Sequence, residues 1–334
     1  MNFDLSDEQR ALAEAAGAFF ADTTSPSASR QALDAGAPIA PGRTALAQTG
    51  FAAITVPESA GGGGGSLLDL AVVAEQAGRV LAGPSLVTAA RAAVLLAGDD
   101  KRLAALADGS TAYAVVDGTA PVLDATTAEV FLARAGDALV AGTGTVTTRE
   151  PIDPTRGLAD VSIEEPQQLV ADCRERWDRA ERVGQVILAA EGLGTAHRAL
   201  EIAVAYAKDR RAFGRAIGSY QAVKHALVDT YVGVENLRSL VWWAAWAADE
   251  SPDELPLAAA AAKGLAATVV EQAAETLIQV HGGIGFTWEH DAHLYWRRAK
   301  VDRLLLGDAA SAFDTVARLA LAARASDSAP SSPR

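Results

Sequence analysis

Arg210-Arg-Ala-Phe-Gly-Arg-Ala-Ile-Gly-Ser-Tyr-Gln221 connects two long helical segments and carries the most specific pattern in the chain. Its glycines permit a tight turn and the close approach of a ligand. Arg210 offers forked donors to phosphate oxygens, and Phe213 offers an apolar face to a ring system. Gln221 can both donate and accept hydrogen bonds. Taken alone, the stretch indicates a helix-turn-helix corner with surface arginines first, and a ligand site as the alternative.

A second stretch, Gln279-Val-His-Gly-Gly-Ile-Gly-Phe286, places three glycines in four positions at the end of a helix. Such a turn exposes backbone N–H groups that can hold an anion, although a helix C-cap explains Gly282 and Gly283 equally well. His281 has no second ligand at metal spacing, so a structural histidine is expected. His290 and His293 also lack further Cys or His neighbours, so no metal site is predicted.

The helical and strand patterns predict an α+β fold that is mostly α. We expect an N-terminal α-helical domain over 1–110, a small reduced β domain over 111–168, and a C-terminal four-helix bundle over 169–324. The Ser/Pro/Ala-rich residues 325–334 predict a disordered tail. Apolar residues at helical spacing predict the four bundle helices at about 182–209, 220–249, 257–279 and 309–324.

Local signals add detail to the first two domains. Ser6 and Gln9 form a capping-box pattern, which predicts a helix that ends near Phe20. A loop is expected around Pro26. The five glycines 61–65 are interpreted as a loop inside the domain rather than a linker, with Ser66 capping the next helix. In the β domain, separate strands are predicted at 138–141 and 144–148.

Bulk properties limit the class of protein. The chain has 334 residues, which favours two or three domains. A formal charge of −13 argues against nucleic acid and anionic membranes as partners. Cys173 is the only cysteine, which excludes an intrachain disulfide and fits a reducing cytoplasm. The sequence contains no leader and no apolar run of the ~20 residues that span a bilayer, so a cytoplasmic protein is expected.

The two stretches and the order of the domains resemble the acyl-CoA dehydrogenase family. The patterns R-x-x-F-G-x-x-I-x-x-x-Q at 210–221 and Q-x-H-G-G-x-G-F at 279–286 are specific as a pair, and the likeness covers nearly the whole chain. The resemblance implies a tetrameric FAD enzyme that oxidises the α,β bond of acyl-CoA thioesters. In that reaction a glutamate removes the α proton and the flavin accepts the β hydride.

The resemblance also implies roles for particular residues. Arg210 would reach the flavin diphosphate of the neighbouring subunit, and Phe213, Ile217 and Gln221 would line the same site between subunits. Toward the adenine end, the contacting positions would be Gln279, Gly282 and Gly283.

Other positions depart from the family pattern. Leu306 stands where the family usually has its glutamate base, and Asp308 replaces a hydroxyl residue that contacts the cofactor. Some members carry the base on the first bundle helix, but the matching positions here are about Gly184 and Gln185. Glu181 and Glu191 lie near these positions as substitute bases, Glu191 being the one singled out. Residues 112–167 contain no tryptophan, although the family's β domain uses one against the flavin.

The sequence therefore predicts a base-lacking subunit of an α2β2 acyl-CoA dehydrogenase, which shares FAD with a longer homologous partner. A steroid side-chain CoA ester is one expected substrate, and an electron-transferring flavoprotein is an expected acceptor. Two alternatives remain open: a self-sufficient homotetrameric enzyme with a displaced base, and a flavin-free acyl-CoA-binding or scaffold protein. The acyl group, its chain length and the identity of the partner stay open.

Overall fold

The computed structural model describes residues 4–37, 39, 41–83, 85–118 and 120–327, with the backbone alone for 323–327. The helices are α1 Asp7–Thr23, α2 Pro26–Asp34, α3 Arg43–Thr49, α4 Leu67–Arg79, α5 Leu86–Leu95, α6 Asp100–Ala107, α7 Arg174–Asp209, α8 Gln221–Glu250, α9 Leu255–His281, α10 Ala292–Asp302 and α11 Ala309–Asp327. The strands are β1 Tyr113–Val116, β2 Val130–Ala135, β3 Ala138–Thr148 and β4 Ala159–Val170, with a short hairpin of β5 Arg211–Ala212 and β6 Arg215–Ala216.

The N-terminal helices begin with side-chain caps. The capping box that opens α1 is confirmed, because Ser6 and Gln9 each accept a hydrogen bond from the other's backbone N–H. The loop predicted around Pro26 is wrong, since Pro26 begins α2 and Ser25 caps that helix by accepting from the Ala28 N–H. Proline at the first helical position loses no hydrogen bond there and supplies a helical φ. Pro26 therefore marks a helix start.

The five-glycine segment is a packed loop, as predicted. Backbone N–H groups of Gly63 and Gly65 donate to Ala53 and Ile54 at 3.0 and 2.8 Å. A Cβ added at Gly62 would lie 2.2 Å from the Val56 carbonyl oxygen, so only glycine fits there. Ser66 caps α4 by accepting from the Asp69 N–H, which confirms the second predicted cap.

The sheet has the order β1-β2-β3-β4, with β1 and β2 parallel and the other pairs antiparallel. The two strands predicted at 138–141 and 144–148 are one strand, β3, with register shifts against β4 between Ala141 and Thr143. Gly142 and Gly144 let β4 approach, because a Cβ at Gly142 would lie 2.6 Å from the Glu164 carbonyl oxygen and one at Gly144 would lie 2.7 Å from that of Ser162.

The C-terminal part is a bundle of α7, α8, α9 and α11, with α10 as an additional helix that the sequence patterns did not reveal. Helix α4 crosses α7 at small residues. A Cβ at Gly78 would lie 1.9 Å from the Glu191 carbonyl oxygen, and one at Gly194 would lie 1.8 Å from that of Glu75. Side chains cannot fit between these backbones, so the N-terminal helices and the bundle share one core.

Buried charges join the β region to the helices. Arg156, just before β4, bonds Asp302 of α10 through both carboxylate oxygens and Glu191 of α7 at 2.6 Å. Arg298 of α10 bonds Asp153 at 2.6 Å. Burial opposes the charge on Arg156, but the carboxylates of Asp302 and Glu191 raise its pKa above the ordinary value. This network fixes α10 against α7 and β4.

The α+β fold, mostly α, is confirmed, while the proposed division at residues 110 and 168 stays a prediction. Helix α11 reaches Asp327, three residues into the predicted tail, and residues 328–334 lie outside the described part. Among the described residues, no helix combines the length and apolar character needed to cross a membrane.

Candidate functional site

A cavity of about 840 Å³ lies between α5, α7, the sheet and the turn that follows α10. Its apolar lining includes Val115, Trp177, Leu188 and Leu306. The cavity reaches Leu306, at the family's usual base position, and Glu181, one helical turn before the alternative position at Gly184.

Leu306 and the first bundle helix meet at the floor of the cavity. A Cβ added at Gly184 would lie 2.9 Å from Leu306 Cδ1, and the Gln185 side-chain amide donates to the Leu306 carbonyl at 3.0 Å. The two alternative base positions thus converge in space, and neither carries a carboxyl group. Leu306 also has φ of +56°, which a leucine rarely adopts and which is typical of functional or strongly constrained positions.

Glu191 occupies a different environment from the one a substitute base needs. Its carboxylate accepts from Ser85 Oγ at 2.8 Å and the Leu86 N–H at 3.1 Å, and pairs with Arg156. Only 3% of the residue is exposed, and it does not line the cavity. With both oxygens bonded inside the protein, this geometry favours a structural role for Glu191.

Glu181 does line the cavity, one helical turn before Gly184. Desolvation raises the pKa of its carboxyl group, partly opposed by the Arg91 guanidinium and assisted by Asp117. Arg91 itself forms two hydrogen bonds of 2.6 and 2.7 Å with Asp117. Of the two nearby acids named from the sequence, Glu181 is therefore the one beside the cavity.

The stretch 210–221 forms the other candidate site. Arg210 ends α7, β5 and β6 make a hairpin, and Gln221 begins α8. Phe213 sits at the hairpin tip with φ of +52° and a side chain that is 96% exposed. An open groove runs between this hairpin and the end of α9, and Phe213, Ile217 and Gln279 line it.

The remaining predicted residues lie beside the groove rather than along it. Arg210 and Gln221 are exposed, and neither side chain makes a hydrogen bond or ion pair within the described chain. Gly282 ends α9 with φ of +65°, and its N–H donates back to Gln279, while Gly283 is also exposed. The structure brings three of the seven residues into one groove and leaves four available at its edges.

His281 behaves as a structural residue. It is buried, its ring stacks on Tyr206 at 4.0 Å, and its Nδ1 lies 2.8 Å from the Leu277 carbonyl oxygen. Burial lowers the pKa of the imidazole, so the neutral form is favoured. In the described part of the chain, no group of three or more His, Cys, Asp or Glu residues is arranged to hold a metal ion.

The two sites differ in how they suit FAD. The exposed ring of Phe213 and the unpaired guanidinium of Arg210 fit a planar ring system and a diphosphate approaching from outside. In the cavity the arginine Arg91 is already paired with Asp117. Asp308, at the family's hydroxyl position, uses its carboxylate to accept from the Ser311 N–H at 2.8 Å at the start of α11. The groove therefore fits the cofactor better than the cavity does.

Residues 6–101 match the acyl-CoA dehydrogenase N-terminal domain, and residues 181–321 match the C-terminal domain. The acyl-CoA dehydrogenase IpdE2 of Mycolicibacterium smegmatis is 36% identical over 308 residues, which cover 91% of this chain and 96% of that protein. The chain belongs to the acyl-CoA dehydrogenase family, a family of oxidoreductases.

Two solved structures share the fold over nearly the full length. A variant of the Tcur3481-Tcur3483 steroid ACAD gives a TM-score of 0.80 at 26% identity, covering 96% of this chain and 99% of that chain. The ChsE4-ChsE5 complex from Mycobacterium tuberculosis gives 0.83 at 23% identity, covering 99% and 100%. The second likeness concerns the fold alone.

Proposed function

We propose that this chain is the base-lacking subunit of a heteromeric acyl-CoA dehydrogenase and that it completes the FAD site of a longer partner. The observation that carries the proposal is the convergence of both family base positions at Leu306 and Gly184, where no carboxyl group is present. The groove beside Phe213 supports the other half of the proposal, because Arg210 and Gln221 beside it are exposed and their side chains are unpaired among the described residues.

In this assembly the flavin supplies the hydride acceptor for α,β-dehydrogenation of an acyl-CoA thioester, and the partner supplies the base. Arg210 neutralises and orients the diphosphate, since a guanidinium can offer two parallel donors to phosphate oxygens. The Phe213 ring and Ile217 exclude water from the adjoining surface. Gln279, Gly282 and Gly283 would contact the adenine end of the cofactor, and Gln221 would line the same site between subunits.

The proposed partner is a longer acyl-CoA dehydrogenase homologue in an α2β2 arrangement. The Tcur3481-Tcur3483 steroid ACAD is named as an assembly of two different chains, which supports a heteromer. The same steroid ACAD supports a steroid side-chain CoA ester as the proposed substrate class. An electron-transferring flavoprotein as acceptor and a cytoplasmic location are further parts of this proposal.

The first experiment measures the flavin absorbance and the number of FAD molecules per chain. It compares the chain alone with the chain co-expressed with the longest homologue that a neighbouring gene encodes. We expect a colourless chain alone and about one FAD per heterodimer in the complex. Arg210→Ala should weaken FAD binding about tenfold, because a hydrogen bond to a charged group contributes about 1.5–3 kcal/mol. Lys208→Ala, which removes an exposed cation from the same helix end, is the matched control and should leave flavin content unchanged.

A second candidate is a self-sufficient enzyme with Glu181 as base, favoured by the position of this carboxyl group in the cavity. It requires the chain alone to purify yellow with about one FAD per chain, and Glu181→Gln to abolish turnover while flavin stays bound. A chain that remains colourless both alone and with every homologous partner would instead identify a flavin-free acyl-CoA-binding or scaffold protein.

A further inference from the structure

Three aromatic rings join the ends of the two helices that lead into the motif stretches. The imidazole of His281 stacks on the phenol ring of Tyr206, with centroids 4.0 Å apart, and packs against the imidazole of His290 at 4.4 Å. Tyr206 belongs to the last turn of α7, His281 is the last residue of α9, and His290 lies just before α10. The ends of α7 and α9 are therefore packed against each other, with the start of α10 beside them.

Both sides of this ring stack lead directly to residues that are proposed to hold FAD. The Tyr206 carbonyl oxygen accepts from the Arg210 N–H at 2.8 Å, in the hydrogen bond that closes α7. His281 is followed by Gly282 and packs against the glycine turn, since a Cβ added at Gly285 would lie 2.9 Å from His281 Cβ. The third glycine of the turn thus permits close approach to the histidine. The ring stack therefore links the backbone at Arg210 to the backbone at Gly282.

The ring stack favours the neutral form of His281. The residue is 5% exposed, and its Nδ1–H donates to the Leu277 carbonyl oxygen at 2.8 Å. The titratable groups that face the ring are the Tyr206 phenol of α7 and the His290 imidazole before α10, and no carboxylate among the described residues pairs with it. Burial lowers the pKa of the imidazole, the Leu277 carbonyl partly opposes that shift, and His290 adds to it. A charged ring would be buried there without a counterion.

We propose that His281 is a positioning residue for FAD, because its ring holds together the two helix ends that present Arg210 and Gly282 to the cofactor. This role rests on the proposed function, which places the diphosphate and the adenine end at these two residues. His281 acts through Tyr206 and the glycine turn rather than through contact with the cofactor. Protonation opens the buried ring stack, so acidification separates the two helix ends and weakens FAD binding.

Hydrogen exchange of the purified chain tests the ring stack without the cofactor. At a pH of about 7.5, His281→Ala should speed amide exchange of residues 279–286 about tenfold, the effect expected for the loss of two ring contacts. His281→Phe keeps an aromatic ring and should stay within about twofold of the wild type. The control His225→Ala removes an exposed histidine of α8 and should change nothing. Equal exchange in the wild type and His281→Ala would overturn the proposal.

The FAD affinity of the co-expressed complex tests the link to the cofactor. At a pH of about 7.5, His281→Ala should weaken FAD binding about tenfold, whereas His281→Phe should bind FAD as the wild type does. Below a pH of about 6.5, the wild-type complex should lose affinity by up to about tenfold per pH unit, the limit for one linked proton. His281→Phe has no proton to bind at this position, so its affinity should fall much less.

The result for the wild-type complex separates this role from the function on which it rests. A wild-type complex that contains no flavin would overturn both. If the wild-type complex contains flavin, equal FAD affinity in His281→Ala would overturn the positioning role alone. Parallel pH curves for the wild type and His281→Phe would do the same, because they would show that His281 does not titrate with FAD binding.

Discussion

The cavity beside Leu306 and the groove beside Phe213 differ in the burial and the pairing of their arginine side chains. In the cavity Arg91 is buried and held by Asp117, whereas at the groove Arg210 is exposed and unpaired. A site that meets a phosphate from a neighbouring subunit must keep its cation available until that subunit arrives. A site formed within one chain has to neutralise its buried charges during folding. The difference supports assigning the phosphate to the groove rather than to the cavity.

The largest effect should come from the buried network that fixes the cavity walls. Arg156→Met leaves Asp302 and Glu191 as buried carboxylates without their guanidinium partner, which should lower the free energy of unfolding by about 3–5 kcal/mol. Urea titration measures this loss. The control is Arg149→Met, which breaks an ion pair whose arginine side chain is 72% exposed and should cost less than about 1 kcal/mol.

A result near the control value for Arg156→Met would mean that the network does not hold the α7, α10 and β4 walls together. The contrast between a cavity with walls fixed by buried ion pairs and an open groove would then have no structural support. Flavin content of the complex sharpens the test, because the groove residues make no contact with this network.

A smaller, pH-dependent effect is expected at Asp124, which is buried beside α5. Burial raises the pKa of its carboxyl group to about 6, opposed by hydrogen bonds from Thr88 and the Ser85 N–H. Because the folded state then binds a proton more tightly than the unfolded state, this group makes stability fall as the pH rises from about 4 to about 6. The loss is complete above that range.

Asp124→Asn should remove this contribution. The stability of the variant should fall less steeply than that of the wild type between pH 4 and 6, by up to about 1.4 kcal/mol per pH unit. Urea midpoints at three pH values measure the two slopes. Parallel curves would show that Asp124 titrates alike in the folded and unfolded states.

The sequence predicted those features that depend on residues close together along the chain. The caps at Ser6 and Ser66 and the packed glycine loop follow from local hydrogen bonding and steric limits. It did not predict the Arg156–Asp302 pair, because these residues are 146 positions apart and no local pattern connects them. Helix α2 was missed because proline was taken as a loop signal at a position where it starts a helix.

The candidate site was predictable to a similar extent. Motif positions singled out the groove residues and Leu306, but sequence proximity could not decide between Glu181 and Glu191. These residues are ten positions apart, about 15 Å along a helix and on differently directed faces. Only the packing of α7 against α5 and the sheet places Glu181 at the cavity and Glu191 in the buried network.

The smallest effect is expected from restoring an acid at the family's usual position. Leu306→Glu would place a carboxyl group on the cavity floor near Gly184, yet the neutralised cations of the cavity offer nothing to a flavin diphosphate. The purified variant should therefore remain colourless and inactive toward acyl-CoA thioesters, as measured by flavin absorbance and dye reduction. Leu306→Gln is the uncharged control. Flavin binding with turnover in Leu306→Glu alone would place the cofactor in the cavity and reverse the assignment of the two sites.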